Sequence, residues 1–121
     1  MDKALQKVTL TNTQVKSKAY LITAKVDGKA VGRAYVYLIY NKLHKAPYAL
    51  LEDVYVDKAY RGKGIGSKLV VKAIELAKSL GCYKIIATSR FARKRVHKLY
   101  EKLGFNKWGY EFRIDFKESK G

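Results

Sequence analysis

The chain has 121 residues and 48% hydrophobic side chains, enough to build the core of one domain and to exclude wholesale disorder. Its 26 Lys and Arg against 10 Asp and Glu give a net charge of +16, which favours an anionic partner, whether phosphorylated cofactor, nucleic acid or acidic protein. No apolar run reaches membrane-span length and no signal-peptide pattern opens the chain, so the protein reads as soluble and cytoplasmic, without a membrane partner. A single cysteine, Cys82, makes neither an internal disulfide nor a metal site; it reads as a small buried filler.

In chain order, Val8-Thr9-Leu10-Thr11 alternates and predicts a short first strand. Ala19–Val26 and Lys29–Tyr40 are rich in β-branched and aromatic residues and meet at Asp27-Gly28, a strong hairpin signal. Gly32 inside the second run marks a bulge. Tyr35, Tyr37 and Tyr40 read as sheet-face residues, and His44 as a solvated histidine in the loop that follows. Tyr48–Val56 is nearly all apolar and predicts a central strand. It is interrupted by Glu52 and Asp53. Two acids there either pair with basic residues or face a cleft; Asp53 takes the structural role, and for Glu52 both readings stay open.

Ser67–Leu80 carries an apolar stripe at helical spacing and stops at Gly81. Tyr83–Thr88 predicts a strand, so a βαβ crossover is expected with Val54–Val56 and Ile85–Ala87 roughly parallel. Arg93–Leu103 predicts a second helix with Val96, Leu99, Tyr100 and Leu103 on one face, ended by Gly104. Tyr110–Phe116 alternates apolar with charged residues and predicts a last strand, before a frayed tail at Glu118–Gly121.

Between the central strand and the first helix lies Tyr60-Arg61-Gly62-Lys63-Gly64-Ile65-Gly66-Ser67. A strand, a glycine-rich loop and a helix N-terminus together present free amides and a positive dipole end to an anion, and glycine lets a phosphate approach the main chain. Arg61 and Lys63 add positive charge. The stretch reads as a pyrophosphate cradle. A nucleotide-binding P-loop requires Gly-Lys-Ser/Thr after a four-residue gap, but Ser67 comes five residues after Gly62; the dinucleotide fingerprint requires Gly or Ala where Ser67 stands.

The pattern Arg-x-x-Gly-x-Gly is met by Arg61, Gly64 and Gly66. Together with Leu51-Glu52-Asp53-Val54-Tyr55-Val56 before it and His97-Lys98-Leu99-Tyr100-Glu101-Lys102-Leu103-Gly104-Phe105 after it, the sequence resembles the GCN5-related N-acetyltransferase (GNAT) family from about Ala19 to Phe116. The resemblance implies one α/β (α+β) domain over residues 1–121, with a mixed, mostly antiparallel sheet flanked by helices and a shortened N-terminal helical region. It implies an acetyl-CoA-dependent N-acetyltransferase acting on a primary amine, small or peptidic, by direct transfer in a ternary complex. The strand Val54, Tyr55 and Val56 would pair with the pantetheine arm through its main chain. The amides of Gly62, Lys63, Gly64, Ile65, Gly66 and Ser67 would hold the pyrophosphate beside Arg61. A splay between Val54–Val56 and Ile85–Ala87 would admit the cofactor. Tyr100 would protonate the leaving thiolate, and Glu52 matches a position used as general base.

Two departures matter. Many members carry Asn seven residues before the tyrosine, where this chain has Arg93; that residue either reaches a cofactor phosphate or an anionic acceptor, or lies on a solvated face. Only Asn12–Lys18 is available for the helices that usually wall the acceptor site, so the acceptor side is open or completed by another subunit in a homodimer. The charge and the Arg90–Lys98 run also admit a basic module binding nucleic acid or an acidic partner, although no recognised nucleic-acid motif supports it.

Overall fold

The Asp27-Gly28 turn does what its residues allow. Asp27 takes φ +49° and Gly28 φ +80°, the left-handed pair that matches the twist of a two-residue hairpin. It joins β1 (Ala19–Val26) to β2 (Lys29–Ile39), which pair antiparallel. The computed structural model describes residues 7–41 and 45–117; His44 and the Glu118–Gly121 tail lie outside them.

β2 continues into β3 (Tyr48–Val56) as an antiparallel neighbour, and β3 is followed by a short 3-10 turn at Lys58–Tyr60 and by α1 (Ile65–Ser79). The chain then returns through β4 (Ile85–Ala87), parallel to β3, and closes with α2 (Lys94–Lys102). The sheet order is β1-β2-β3-β4, which gives the mixed, mostly antiparallel sheet with β3 internal.

The core is built on one face. Ala34, Val36 and Leu38 of β2 and Ala49 and Leu51 of β3 meet Leu69, Val70, Ala73 and Ala77 of α1, all fully or nearly fully buried. Period-2 positions on the strands face period-3.6 positions on the helix, which is why this face is apolar and the other is not. Val31 is the extra residue of a β-bulge, since Ala24 pairs with Gly32 but Lys25 with Ala30. Gly32 beside it is crowded. A Cβ there would lie 3.1 Å from the Tyr55 carbonyl oxygen and 3.3 Å from Leu69 Cδ1. The oxygen is main chain in a paired strand and has little room to yield. Gly32→Ala should therefore lower stability by about 1–3 kcal/mol, as overpacking does. A thermal melt checks this, and an unchanged midpoint would show that the sheet gives way there.

Several expectations from the sequence are corrected. Val8–Thr11 forms no strand, and Val8 is 57% and Leu10 90% exposed: alternation gains a ladder only where it pairs, and this stretch pairs with neither outer strand of the sheet. No helix occurs among described residues 8–18. Tyr110–Phe116 is likewise not a strand, and its apolar side chains point into solvent. The expected parallel arrangement of β3 and β4 is present, with β4 beside Ala49–Leu51. The expected Tyr83–Thr88 strand shortens accordingly, and α1 begins two residues before Ser67.

Candidate active site

The register of β3 creates the cleft. On one side β3 pairs with β2 to its end, but on the other it pairs with β4 only through Leu51↔Ala87. From Glu52 to Val56 no strand lies beside that edge among the described residues, so its outward main-chain groups, apart from the Val56 carbonyl that accepts from Arg61, are open for a ligand to take as an added strand would. The predicted gap is present and starts at the Leu51–Ala87 pair.

A second irregularity lies at the mouth of this gap. Arg33 opposes Tyr55 while Tyr35 opposes Glu52, so β3 carries one residue more than β2 across this interval. Asp53 takes φ +52° there. This is a β-bulge, which leaves main-chain groups out of the ladder and turns the strand. Asp53 tolerates the left-handed conformation better than most residues, and Arg33 holds it: Nε donates to Oδ2 at 2.8 Å. The Asp53 carboxylate thereby raises the Arg33 pKa. Both side chains are about half exposed, so the pair sets geometry more than stability. The structural role expected for Asp53 is met. Arg33 went unnoticed in the sequence, where only the adjacency of two acids signalled that something irregular happens here.

The glycine loop leaves β3 at Val56. Gly62 and Gly64 adopt φ +78° and +84°, and a Cβ built on either meets nothing within 4 Å, so the space over the loop is open. Lys68 N–H donates to the Gly64 carbonyl at 3.1 Å, so the amides of Ile65, Gly66 and Ser67 lie before the first intrahelical bond. Among the described residues the amides of Gly62, Lys63 and Gly64 have no backbone acceptor either. No acid stands in the first turn of α1 to neutralise the dipole. Gly66 packs back against β3, where its Cβ would sit 3.9 Å from Val56 Cγ2. The residues fit a bound pyrophosphate: free amides, open space and a positive helix end converge.

Arg61 takes a more specific place than a freely mobile charge. Its Nε donates to the Val56 carbonyl at 2.8 Å, and its guanidinium lies 5.3 Å from the Tyr55 ring centroid. Arg33 stacks on the same ring at 4.7 Å. The loop is thus stapled to the strand end. Lys63 and Lys29 approach the Tyr60 ring at 5.6 and 5.9 Å, which keeps positive charge on both sides of the loop.

Tyr100 closes the arrangement from α2. It packs on Phe105 with ring centroids 5.2 Å apart and joins the partly buried shell around the core. Burial raises the phenol pKa above its usual value; Arg93 opposes this and Glu52 adds to it. Those two influences place the Glu52 carboxylate and the Arg93 guanidinium in the electrostatic neighbourhood of the phenol. Glu52 is partly buried, and among the described residues no hydrogen bond or ion pair engages its carboxylate. Arg93 is exposed and caps the N-terminus of α2. The start of α2 is anchored by His97, whose Nε2 lies 2.7 Å from the Arg90 carbonyl. Cys82 is partly buried with its thiol pKa raised by burial, in keeping with a filler.

Residues 3–105 match the sequence pattern of the Acetyltransferase (GNAT) family. The chain belongs to that family. As a GNAT chain it is 38% identical over 90 residues to a glucosamine 6-phosphate N-acetyltransferase of Trypanosoma brucei brucei, covering 73% of this chain and 58% of that protein. It is 39% identical over 74 residues to the bovine (Bos taurus) thialysine N-epsilon-acetyltransferase, covering 61% of this chain and 43% of the relative. The crystal structure of glucosamine-6-phosphate N-acetyltransferase from Arabidopsis thaliana superposes with a TM-score of 0.73 at 27% identity, over 82% of this chain and 67% of that one. The GNAT chain thus spans little more than half the length of the trypanosome relative. Among the described residues, no helix is long and apolar enough to cross a membrane.

Proposed function

We propose that this GNAT domain, residues 1–121, is a cytoplasmic acetyl-CoA-dependent N-acetyltransferase that moves an acetyl group directly to a primary amine in a ternary complex. The observation that carries this is the open Glu52–Val56 edge of β3, continued by the free amides of the glycine loop, with Glu52 in the electrostatic neighbourhood of Tyr100.

Acetyl-CoA, when bound, supplies the activated acyl group and a thiol leaving group. The amides from Gly62 to Ser67 hold its pyrophosphate. Val54 and Val56 offer main-chain groups to its pantetheine arm. Holding donor and acceptor together accounts for much of the rate. Glu52 removes the proton from the attacking amine, directly or through water. The main-chain N–H at the bulge by Val54 steadies the charge that develops on the carbonyl oxygen. Tyr100 would supply the proton that the departing thiol takes up. Its raised pKa suits this role, since the phenol stays protonated at neutral pH.

The acceptor is a small primary amine that also carries an anionic group. Two lines support this: the net charge of +16, and Arg93 exposed beside Tyr100. The relatives' names add candidates, an amino-sugar phosphate and an amino acid. The test is a thiol-release assay across glucosamine 6-phosphate, glucosamine, thialysine, lysine and polyamines, with Glu52→Gln as the paired variant. Turnover with the anionic amines above their uncharged counterparts, reduced in Glu52→Gln, is expected. Preference for polyamines would overturn the acceptor class, and an unaffected Glu52→Gln would remove the base.

A further inference from the structure

The alternation of β3 changes phase once. Ala49 and Leu51 lie in the core, and Val54 and Val56 pack against that same core. A strand whose side chains alternate strictly cannot turn both pairs to one face, because the step from Leu51 to Val54 holds one residue too many. One residue between them must leave the ladder, and only Glu52 and Asp53 stand there. The burial pattern alone is met by either choice.

The choice is made from β2. Ala34 and Val36 are in the core, so Arg33 and Tyr35 face the other side of the sheet, with Tyr55 and Glu52 opposite them on β3. Asp53 is the residue set out, at φ +52°. The Arg33 guanidinium lies 4.7 Å from the Tyr55 ring centroid. From that seat its Nε donates to Asp53 Oδ2 at 2.8 Å and its Nη2 to Oδ1 at 3.5 Å. A planar fork held on an aromatic face meets a carboxylate in one orientation, as a flexible ammonium does not. Glu52 is left in register with Tyr35, at the open edge, and among the described residues no hydrogen bond or ion pair engages its carboxylate.

We propose that Arg33 is a positioning residue: by engaging Asp53 it selects that acid as the bulge and leaves Glu52 in the ladder, its carboxylate free for the acceptor amine. This rests on the reading of Glu52 as the base. Aspartate tolerates positive φ better than most residues, and the exposed ion pair adds a bias of similar, small size. Together they hold one arrangement. Without Arg33 the displaced position is shared between the two acids. Whenever Glu52 takes it, its side chain leaves its place opposite Tyr35, and the Val54 N–H is re-aimed as well. Turnover then falls with the fraction of molecules that keep Glu52 in register.

The test compares the wild type with Arg33→Met, alone and combined with Asp53→Gly or with Asp53→Ala. Methionine keeps an apolar stem beside Tyr55 and loses the fork. Arg33→Met should lower kcat roughly three- to tenfold, the range over which an exposed ion pair seated on a ring biases two states. Adding Asp53→Gly should restore kcat to within about twofold of the wild type, because glycine takes positive φ without help. Adding Asp53→Ala removes the same carboxylate without that freedom and should not restore it. The melting shift produced by acetyl-CoA should persist throughout, since Arg61 still ties the glycine loop to the Val56 carbonyl. Cα and Cβ carbon chemical shifts at residues 52–54 read the backbone without any turnover. They should show positive φ at Asp53 in the wild type and averaging between Glu52 and Asp53 in Arg33→Met. Undiminished kcat in Arg33→Met overturns the proposal, as does failure of Asp53→Gly to restore it. Equal recovery with glycine and alanine also overturns it, since an unpaired carboxylate would then be the cause. So do unchanged carbon shifts in Arg33→Met, or loss of its response to acetyl-CoA. A wild type that acetylates no amine defeats the transfer reading instead, and the carbon shifts then decide whether Arg33 selects the bulge. Arg33→Lys, which lacks the fork, takes the place of Arg33→Met if the latter does not fold, with the same outcomes.

Discussion

Tyr100→Phe should lower turnover by roughly 10²–10⁴-fold, the usual contribution of a positioned general acid, while leaving affinity for acetyl-CoA nearly unchanged. The ring that packs on Phe105 and the core is kept, so only the proton is lost. The pH dependence separates a chemical role from a packing role. Burial holds the phenol pKa above the ordinary tyrosine value of about 10. Wild-type activity should fall at alkaline pH as the phenol ionises, and this limb should be absent from the residual activity of the variant. Stability follows the same sign. A folded-state pKa above the unfolded one contributes stability that is fully present below the unfolded value and is lost as pH rises through the folded value. The phenol's share of stability should thus persist to about pH 10 and decline above it, and Tyr100→Phe should lack that decline. Steady-state kinetics and urea melts between neutral and alkaline pH measure both. Wild-type turnover in Tyr100→Phe would remove the acid role.

Gly64→Val should abolish acetyl-CoA binding. At φ +84° a β-branched residue is strained by about 1–3 kcal/mol, and its methyl groups enter the space that the phosphates need. Relief of the strain would rotate the peptide and carry the neighbouring amides out of alignment. For the wild type, acetyl-CoA at a hundred times its dissociation constant adds about 2.7 kcal/mol and raises the melting midpoint on the order of 10 °C. In Gly64→Val that shift should disappear. Gly28→Val is the control. It has a comparable positive φ of +80° and equally open space, but it sits in the β1–β2 hairpin turn and supplies none of the amides from Gly62 to Ser67. It should melt lower than the wild type and still respond to acetyl-CoA. A retained shift in Gly64→Val would show that the cradle is not where the ligand binds.

Much of this arrangement is local and therefore legible in the residues. The Asp27-Gly28 hairpin, the stripe of α1, the glycine loop and the tyrosine-bearing helix each depend on neighbours within a few positions. Pairing at a distance was not legible. The apolar run of β3 marks a strand, but nothing in it says that β4 stops alongside Leu51 and leaves Glu52–Val56 open. The bulge at Asp53 depends on how β2 and β3 fall into register and on Arg33 twenty residues earlier. Alternation in Tyr110–Phe116 gave the period of a strand without naming its partner, and Val8–Thr11 alternates without pairing to either outer strand. A pattern states what a segment is able to do; the ladder depends on which edge is within reach.

The open half of β3 has a consequence for how such a protein tolerates change. What it offers a donor is peptide groups, the one part of a chain that substitution leaves chemically intact. Side chains at Val54 and Val56 pack against the core and vary only among those that fit it, while their peptide groups stay the same. Tyr55, 39% exposed, is constrained by its two arginine neighbours more than by the donor. Variation accumulating along this edge therefore retunes what approaches from the solvent side while the peptide groups proposed to hold the acyl carrier are inherited unaltered.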